Sequence, residues 1–318
     1  MASPGKRPAM TQRSGKLWLN GRLVPAASAK VHVLTHGLHY GTGVFEGVRA
    51  YATEHGPAIF RLQDHTRRLL ASARVVGMKI PHAFAQLCAA QLSVVKENRL
   101  QDAYIRPVAF YADGGLGINV ANHKVVTVVA AFAFGAYLGK AGVEKGIDVG
   151  VSSFRRPDPA GTMVHAKVCG NYINSVMALA EAKRNGYAEA VMLDKDGYLS
   201  EGSGENIFLK LNGELVTPTT EASLNGITRQ TIIEIAAGLG VEVVERRIAR
   251  DEIYAAEEAF FTGTAAEVTP IASVDGVKIG TGRRGRLTKK LQQAYFDCVR
   301  GRHALSEKHL TYVPRKRA

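Results

Sequence analysis

At 318 residues with 46% hydrophobic content, the chain has room for two compact domains, each with a core of its own. That composition excludes a disordered chain. No apolar run approaches the roughly 20 residues of a membrane span and the first residues lack the apolar core of a secretory signal, so the expected location is the cytoplasm, with no membrane partner.

The formal net charge of +13 invites a nucleic-acid reading, but its placement argues against one. Residues 1–16 carry four bases and no acid, and residues 301–318 carry five bases against Glu307, so the tails hold +8 of the total. No stretch interleaves bases with aromatic rings as a strand-binding groove does, and nucleic acid is not an expected partner. Cys88, Cys169 and Cys298 are odd in number and widely spaced, which suggests neither a disulfide framework nor a cysteine metal site.

In chain order, Lys16–Leu19 and Val44–Tyr51 read as strands. Helical periodicity follows at His65–Val76 and Ala83–Asn98, and then a strongly β-branched run at Lys124–Phe134. The glycines of Gly135-Ala136-Tyr137-Leu138-Gly139-Lys140-Ala141-Gly142 mark a boundary. Beyond it, strands are expected at Ile147–Phe154, Ala190–Leu193, Asn206–Leu211 and Ala259–Thr262, and helices at Tyr172–Asn185, Thr228–Leu239 and Leu287–Val299. Adjacent and helix-separated strands both occur, so the fold class is α+β or α/β with mixed sheets. The expected organisation is a basic tail over 1–15, a small α/β domain over 16–138, a linker over 139–146, a large α/β domain over 147–302 and a basic tail over 303–318.

Two patterns are set aside. Gly280-Thr281-Gly282-Arg283-Arg284-Gly285 matches the G-x-G-x-x-G fingerprint, but too little chain follows it to build the βαβ unit that dinucleotide binding requires. His32, His36 and His39 resemble a metal cluster, yet Gly37, Gly41 and Gly43 interrupt any helix that would align them. Structural or supporting roles are expected for them, and no metal.

Lys167, in His165-Ala166-Lys167-Val168-Cys169-Gly170-Asn171-Tyr172, is a lone lysine among small and apolar neighbours. Burial there would disfavour its charged form and free an amine for attack on a carbonyl, the chemistry of a Schiff base. Pyridoxal phosphate catalysis further needs a phosphate cup, an acid on the ring nitrogen, a donor to the ring hydroxyl and a substrate pocket. Thr228 opens a predicted helix after Gly226, where free N–H groups favour an anion. Thr264, in Gly263-Thr264-Ala265-Ala266, offers a hydroxyl beside backbone donors, and Arg61 offers a guanidinium. Glu201 and Glu205 lie together in a glycine-rich turn, and either has the chemistry to hold a pyridinium protonated.

Taken with His39-Tyr40-Gly41-Thr42-Gly43-Val44-Phe45-Glu46-Gly47-Val48-Arg49, Ala103-Tyr104-Ile105-Arg106-Pro107, Glu201-Gly202-Ser203-Gly204-Glu205-Asn206, Gly226-Ile227-Thr228-Arg229 and Gly263-Thr264-Ala265-Ala266-Glu267, the lysine segment resembles the branched-chain amino acid aminotransferases. These are class IV, fold-type IV, pyridoxal phosphate enzymes, and the resemblance runs from about Lys16 to Val299. It implies a two-domain fold with the cofactor at the domain interface, in which the large domain binds pyridoxal 5'-phosphate. It implies Lys167 as the Schiff-base lysine, Tyr172 near the ring hydroxyl, Glu201 rather than Glu205 on the ring nitrogen, and Leu224 against the ring. Arg61, Ile227, Thr228 and Thr264 fall on its phosphate-binding positions. Tyr104 and the backbone of Thr264 and Ala265 fall where the substrate carboxylate is held. Tyr40, Phe45, Leu116, Ile118 and Tyr137 fall where the side-chain pocket is built, and Arg106 where the second carboxylate of glutamate is handled. Phe134 stands where several bacterial members have an indole.

The implied activity is ping-pong amino transfer between leucine, isoleucine or valine and 2-oxoglutarate, in a homodimer or homohexamer whose partners are small amino and 2-oxo acids. Rival readings are a D-amino acid or amine transaminase, an aminodeoxychorismate lyase and, more remotely, a basic nucleic-acid-binding protein.

Overall fold

A computed structural model describes residues 15–135 and 139–314, and Tyr137 with both outer tails lies outside them. The described chain divides into two compact units, one of residues 15–135, 166–171 and 298–314 and the other of residues 139–165 and 172–297.

The first unit begins with strands β1 (Lys16–Leu19) and β2 (Arg22–Pro25) and a short helix α1 (His36–Tyr40). Strands β3 (Gly43–Phe45), β4 (Val48–Thr53) and β5 (Gly56–Phe60) lead into helices α2 (Leu62–Val75) and α3 (Phe84–Glu97), and β6 (Ala103–Tyr111) and β7 (Val125–Ala133) complete it. All pair antiparallel in one sheet, where Leu310–Tyr312 borders β5, followed by β4, β6, β7, β1 and β2, with β3 on β6. Alternate residues of β7 are buried, which is the period a one-sided sheet requires. Leu62 and Leu69 of α2 lie inward, and Leu87, Ala90 and Val94 of α3 pack in one cluster with Trp18, Ile59, Ile105 and Val129.

The expected strand Val44–Tyr51 is divided by Glu46 and Gly47 into β3 and β4. The register that pairs Phe45 with Val108 and Val48 with Ile105 sets Pro107 opposite the break. Proline has no N–H to give a ladder, but its carbonyl still accepts the Glu46 N–H at 2.8 Å. Ala103–Tyr111, which no strand pattern in the sequence marks, is the centre of this sheet.

The second unit runs α4 (Lys140–Lys145), β8 (Ile147–Val151), α5 (Tyr172–Arg184), β9 (Glu189–Leu193), β10 (Leu199–Gly202), β11 (Asn206–Leu211) and β12 (Glu214–Thr217). It continues with α6 (Ile227–Gly238), β13 (Val243–Glu245), β14 (Glu258–Gly263), β15 (Glu267–Val274), β16 (Val277–Lys278) and α7 (Arg286–Val299). Its sheet, ordered β10-β9-β8-β15-β14-β11-β12-β13 with β16 on β15, is mixed: β8 runs parallel to β9 and β15, and β12 to β13. Val149, Val191, Ile207, Leu209, Phe261 and Ile271 form the centre of its core. The strand expected to reach Phe154 ends at Val151.

Among the described residues no helix is long and apolar enough to cross a membrane, and no group of three or more His, Cys, Asp or Glu is placed to hold a metal. The glycine-rich Gly280–Gly285 segment forms turns leading into α7, whose first N–H groups, those of Leu287 and Thr288, donate to the Glu258 carboxylate.

Candidate active site

In the first unit, the Lys167 segment is pinned by its main chain. The Lys167 N–H donates to Ser72 Oγ of α2 at 2.9 Å, its carbonyl accepts the Phe45 N–H at 3.1 Å, and Val168 bridges Val44. The side chain is half-buried, less enclosed than a lysine surrounded by apolar residues on all sides. Its Nζ lies 4.9 Å from the centre of the Phe45 ring, and the Arg106 guanidinium carbon lies 4.6 Å from the same centre. One ring therefore carries two cations, each favoured by its π face.

The strand period explains the neighbours of that ring. Tyr104 and Arg106 are two residues apart on β6 and so share a face, and Arg106 Nη2 donates to the Tyr104 hydroxyl at 3.1 Å. Tyr104 packs between Phe132 and Phe134, with ring centres 5.6 and 5.2 Å away. A methyl on Gly47 would come within 1.9 Å of the Tyr104 oxygen, so the absent side chain makes room for that hydroxyl.

Behind Phe45 lies a buried charge cluster that sequence reasoning missed. Glu46 is fully buried and accepts from Arg68 Nε at 2.5 Å and Nη2 at 2.9 Å, and His65 Nδ1 lies 2.7 Å from its Oε2. Burial raises the Glu46 pKa, but the charges and hydrogen bonds of Arg68 and His65 overcome this and hold it far below the usual carboxylate range. Burial lowers the His65 pKa and outweighs the opposing pull of Glu46, while the Arg68 and Lys167 charges press it down further. His65, Arg68 and Ser72 follow one another at helical spacing, a stripe of α2 directed at the Lys167 segment. Arg61 begins that helix in a left-handed conformation, with its Nε 2.6 Å from Asp64 Oδ2 and its N–H on the His309 carbonyl at 2.7 Å.

His36 is buried, with Nδ1 2.7 Å from Thr42 Oγ1 and Nε2 2.7 Å from the Gly117 carbonyl, and its ring stacks on Tyr40 at 4.5 Å. It thereby joins α1 to the 115–118 loop. Tyr40, Leu116 and Ile118 stay exposed, Ile118 by 88%.

In the second unit, Glu201 lies buried on β10, its Oε1 2.8 Å from Arg156 Nε and its Oε2 3.4 Å from Asn206 Nδ2. Glu205 is turned differently, with its Oε2 on the Gly204 N–H at 3.0 Å. This separates the two acids that the sequence left equivalent. Asn206 Nδ2 also donates to the Leu224 carbonyl at 3.0 Å. Helix α6 follows with Ile227 and Thr228 in its buried first turn, and no side chain caps it at Gly226. Thr264 and Ala265 lie in the three-residue hairpin between β14 and β15, closed by Glu267 at positive φ. Tyr172 is the first residue of α5.

These groups fit pyridoxal phosphate by their chemistry. A helix N-terminus without a side-chain cap and flanked by threonine suits a phosphate, a buried carboxylate suits a ring nitrogen, and a half-buried lysine offers an amine.

Comparison with known proteins agrees with this chemistry. The family model described as amino-transferase class IV matches residues 43–274. The branched-chain-amino-acid aminotransferase of Pseudomonas aeruginosa is 54% identical over 293 residues, covering 92% of this chain and 95% of that protein, and that of Escherichia coli K12 is 45% identical over the same span. The crystal structure of the Escherichia coli branched-chain amino acid aminotransferase superposes with a TM-score of 0.93 at 44% identity, over 95% of this chain and all of that one. A further branched-chain amino acid aminotransferase, solved in complex with N-(5'-phosphopyridoxyl)-L-glutamate, superposes with a TM-score of 0.92 at 44% identity, over 96% of this chain and all of that one.

Proposed function

The chain belongs to the class IV aminotransferases, a pyridoxal phosphate family, and on that premise we propose that it moves the amino group of leucine, isoleucine or valine to 2-oxoglutarate in a ping-pong cycle. The observation that carries this reading is the meeting of the Lys167 amine and the Arg106 guanidinium at the Phe45 ring. An aliphatic side chain is served by the ring, and an acidic one by the arginine at its edge. The glutamate adduct in the relative described above supports the second half of that statement.

Bound pyridoxal phosphate supplies the electron sink that stabilises the carbanion left when the substrate loses its α-proton. Lys167 takes that proton as base and returns it as acid. Glu201 keeps the ring nitrogen protonated, Tyr172 serves the ring hydroxyl and Leu224 packs on the ring. The amides of Ile227 and Thr228 and the hydroxyls of Thr228 and Thr264 hold the phosphate. Arg61 is the cation that the resemblance assigns to that phosphate, and Arg68, engaged by Glu46 as Arg61 is by Asp64, is a second one on the same side of the helix. Tyr104 and the backbone of Thr264 and Ala265 hold the substrate carboxylate. Tyr40, Phe45, Leu116, Ile118 and Tyr137 shape the side-chain pocket.

The exposed apolar group of Leu38, Tyr40, Leu116 and Ile118, organised around His36, suits a second copy of the chain, and a homodimer or a homohexamer built from dimers accounts for it. The cytoplasm suits an enzyme of free amino acids.

Assay of purified protein with each enantiomer of leucine, isoleucine and valine and with 2-oxoglutarate tests the reading. Glutamate formed only from the L-enantiomers, with a visible absorption band that borohydride abolishes, is the expected result. Turnover confined to D-amino acids or to simple amines would replace it with a sister activity, and salt-sensitive nucleic-acid binding without a chromophore would remove it.

A further inference from the structure

We propose that Asn206 is a positioning residue that registers the Glu201 carboxylate against the loop opening α6, so that the acid for the ring nitrogen and the amides for the phosphate form one rigid piece. The inference rests on the reading of Glu201 and of the α6 N-terminus given above.

The geometry points to this in three ways. Asn206 is 6% exposed, and its one amide nitrogen reaches two acceptors, Glu201 Oε2 at 3.4 Å and the Leu224 carbonyl at 3.0 Å. A primary amide has two N–H groups and can serve both at once; a carboxylate or a hydroxyl in its place cannot. The other oxygen of Glu201 forms an ion pair with Arg156, whose main-chain N–H is anchored on the Leu193 carbonyl at 2.8 Å, so the carboxylate has a partner on each side. Finally, a methyl on Gly226 would stand 2.1 Å from Asn206 Oδ1, so the residue that precedes α6 is shaped to the far side of the same amide. Gly226 has φ −66° and ψ 135°, which any residue adopts, and so the close approach of Asn206 accounts for the glycine where backbone strain does not.

The test is calorimetric affinity for pyridoxal 5'-phosphate, measured on the full chain stripped of cofactor. Asn206→Ala removes the link, and Gly226→Ala pushes it aside while leaving Glu201 and Asn206 in the sequence. Each is expected to weaken binding about tenfold, the cost of one buried hydrogen bond to a charged group. The double variant should be no weaker than Asn206→Ala alone, because the methyl then has nothing to displace. Losses that multiply to about a hundredfold, or wild-type affinity in both single variants, overturn the proposal. Gly226→Ala deletes no contact and carries the test if Asn206→Ala does not fold. Glu201→Gln separates the two layers: wild-type affinity and visible spectrum in that variant remove the reading of Glu201, whereas multiplying losses at 206 and 226 remove the role of Asn206 whatever Glu201→Gln does.

Discussion

Phe45 holds Lys167 twice, through its N–H on the lysine carbonyl at 3.1 Å and through its ring, whose centre lies 4.9 Å from Nζ. The backbone and the amine of the lysine thus both meet a residue distant in sequence. Lys167→Ala is expected to abolish turnover while pyridoxal phosphate still binds noncovalently. Borohydride should then fail to fix a chromophore to the chain, and normal turnover by this variant would sink the assignment.

Gly47 leaves space that the Tyr104 hydroxyl fills. Gly47→Ala places a methyl 1.9 Å from that oxygen and must displace the tyrosine. The expected result is a KM for amino acids raised roughly tenfold, equivalent to about 1.4 kcal/mol, with a smaller change in kcat. Steady-state kinetics with leucine check it, and an unchanged KM would place the substrate carboxylate elsewhere.

Arg106 separates the two substrate classes. Arg106→Met keeps an unbranched stem against Phe45 and deletes the charge. The KM for 2-oxoglutarate should rise roughly ten- to a hundredfold, in line with about 1.5–3 kcal/mol for a charged hydrogen bond, while that for leucine changes little. Parallel rises for both substrates would show that the arginine supports the pocket without reading the acid.

The buried cluster predicts a two-stage acid response. Both groups have folded-state pKa values below their unfolded ones, so the unfolded chain takes up protons first as the pH falls and stability is lost on the acid side. For His65 the loss begins as the pH drops below its ordinary value of 6.5, and for Glu46 below 4.5. Glu46→Gln, which strands Arg68, should cost about 3 kcal/mol at neutral pH. Urea midpoints measured from pH 8 to pH 3 should show the gap between wild type and variant shrinking only below 4.5; a constant gap to pH 3 would contradict the assignment.

Much of this was legible in the chain because burial and backbone period write themselves into residue order. Lys124–Phe134 is dense in β-branched residues and forms β7, and the five helical patterns are all helices. Ala103–Tyr111 was not legible as a strand because Arg106 and Pro107 interrupt its apolar character, and only the break in the facing strand makes that proline tolerable. The pairing of Arg68 was similarly hidden, because its buried partner Glu46 comes from another segment of the chain. Arg156 carries no local signal, because it reaches the Glu201 carboxylate from a distant segment, and the link that Asn206 makes from that carboxylate to the Leu224 carbonyl is equally a matter of tertiary structure.

The first amides of α7 donate to Glu258, as does the hydroxyl of Thr288. Beside them lies a stretch that spells a nucleotide fingerprint, and it would present a free positive helix end to any passing phosphate were that carboxylate absent. Glu258 works as a resident plug. In a protein whose cofactor is itself a phosphate ester, it removes one of the chain's decoy seats.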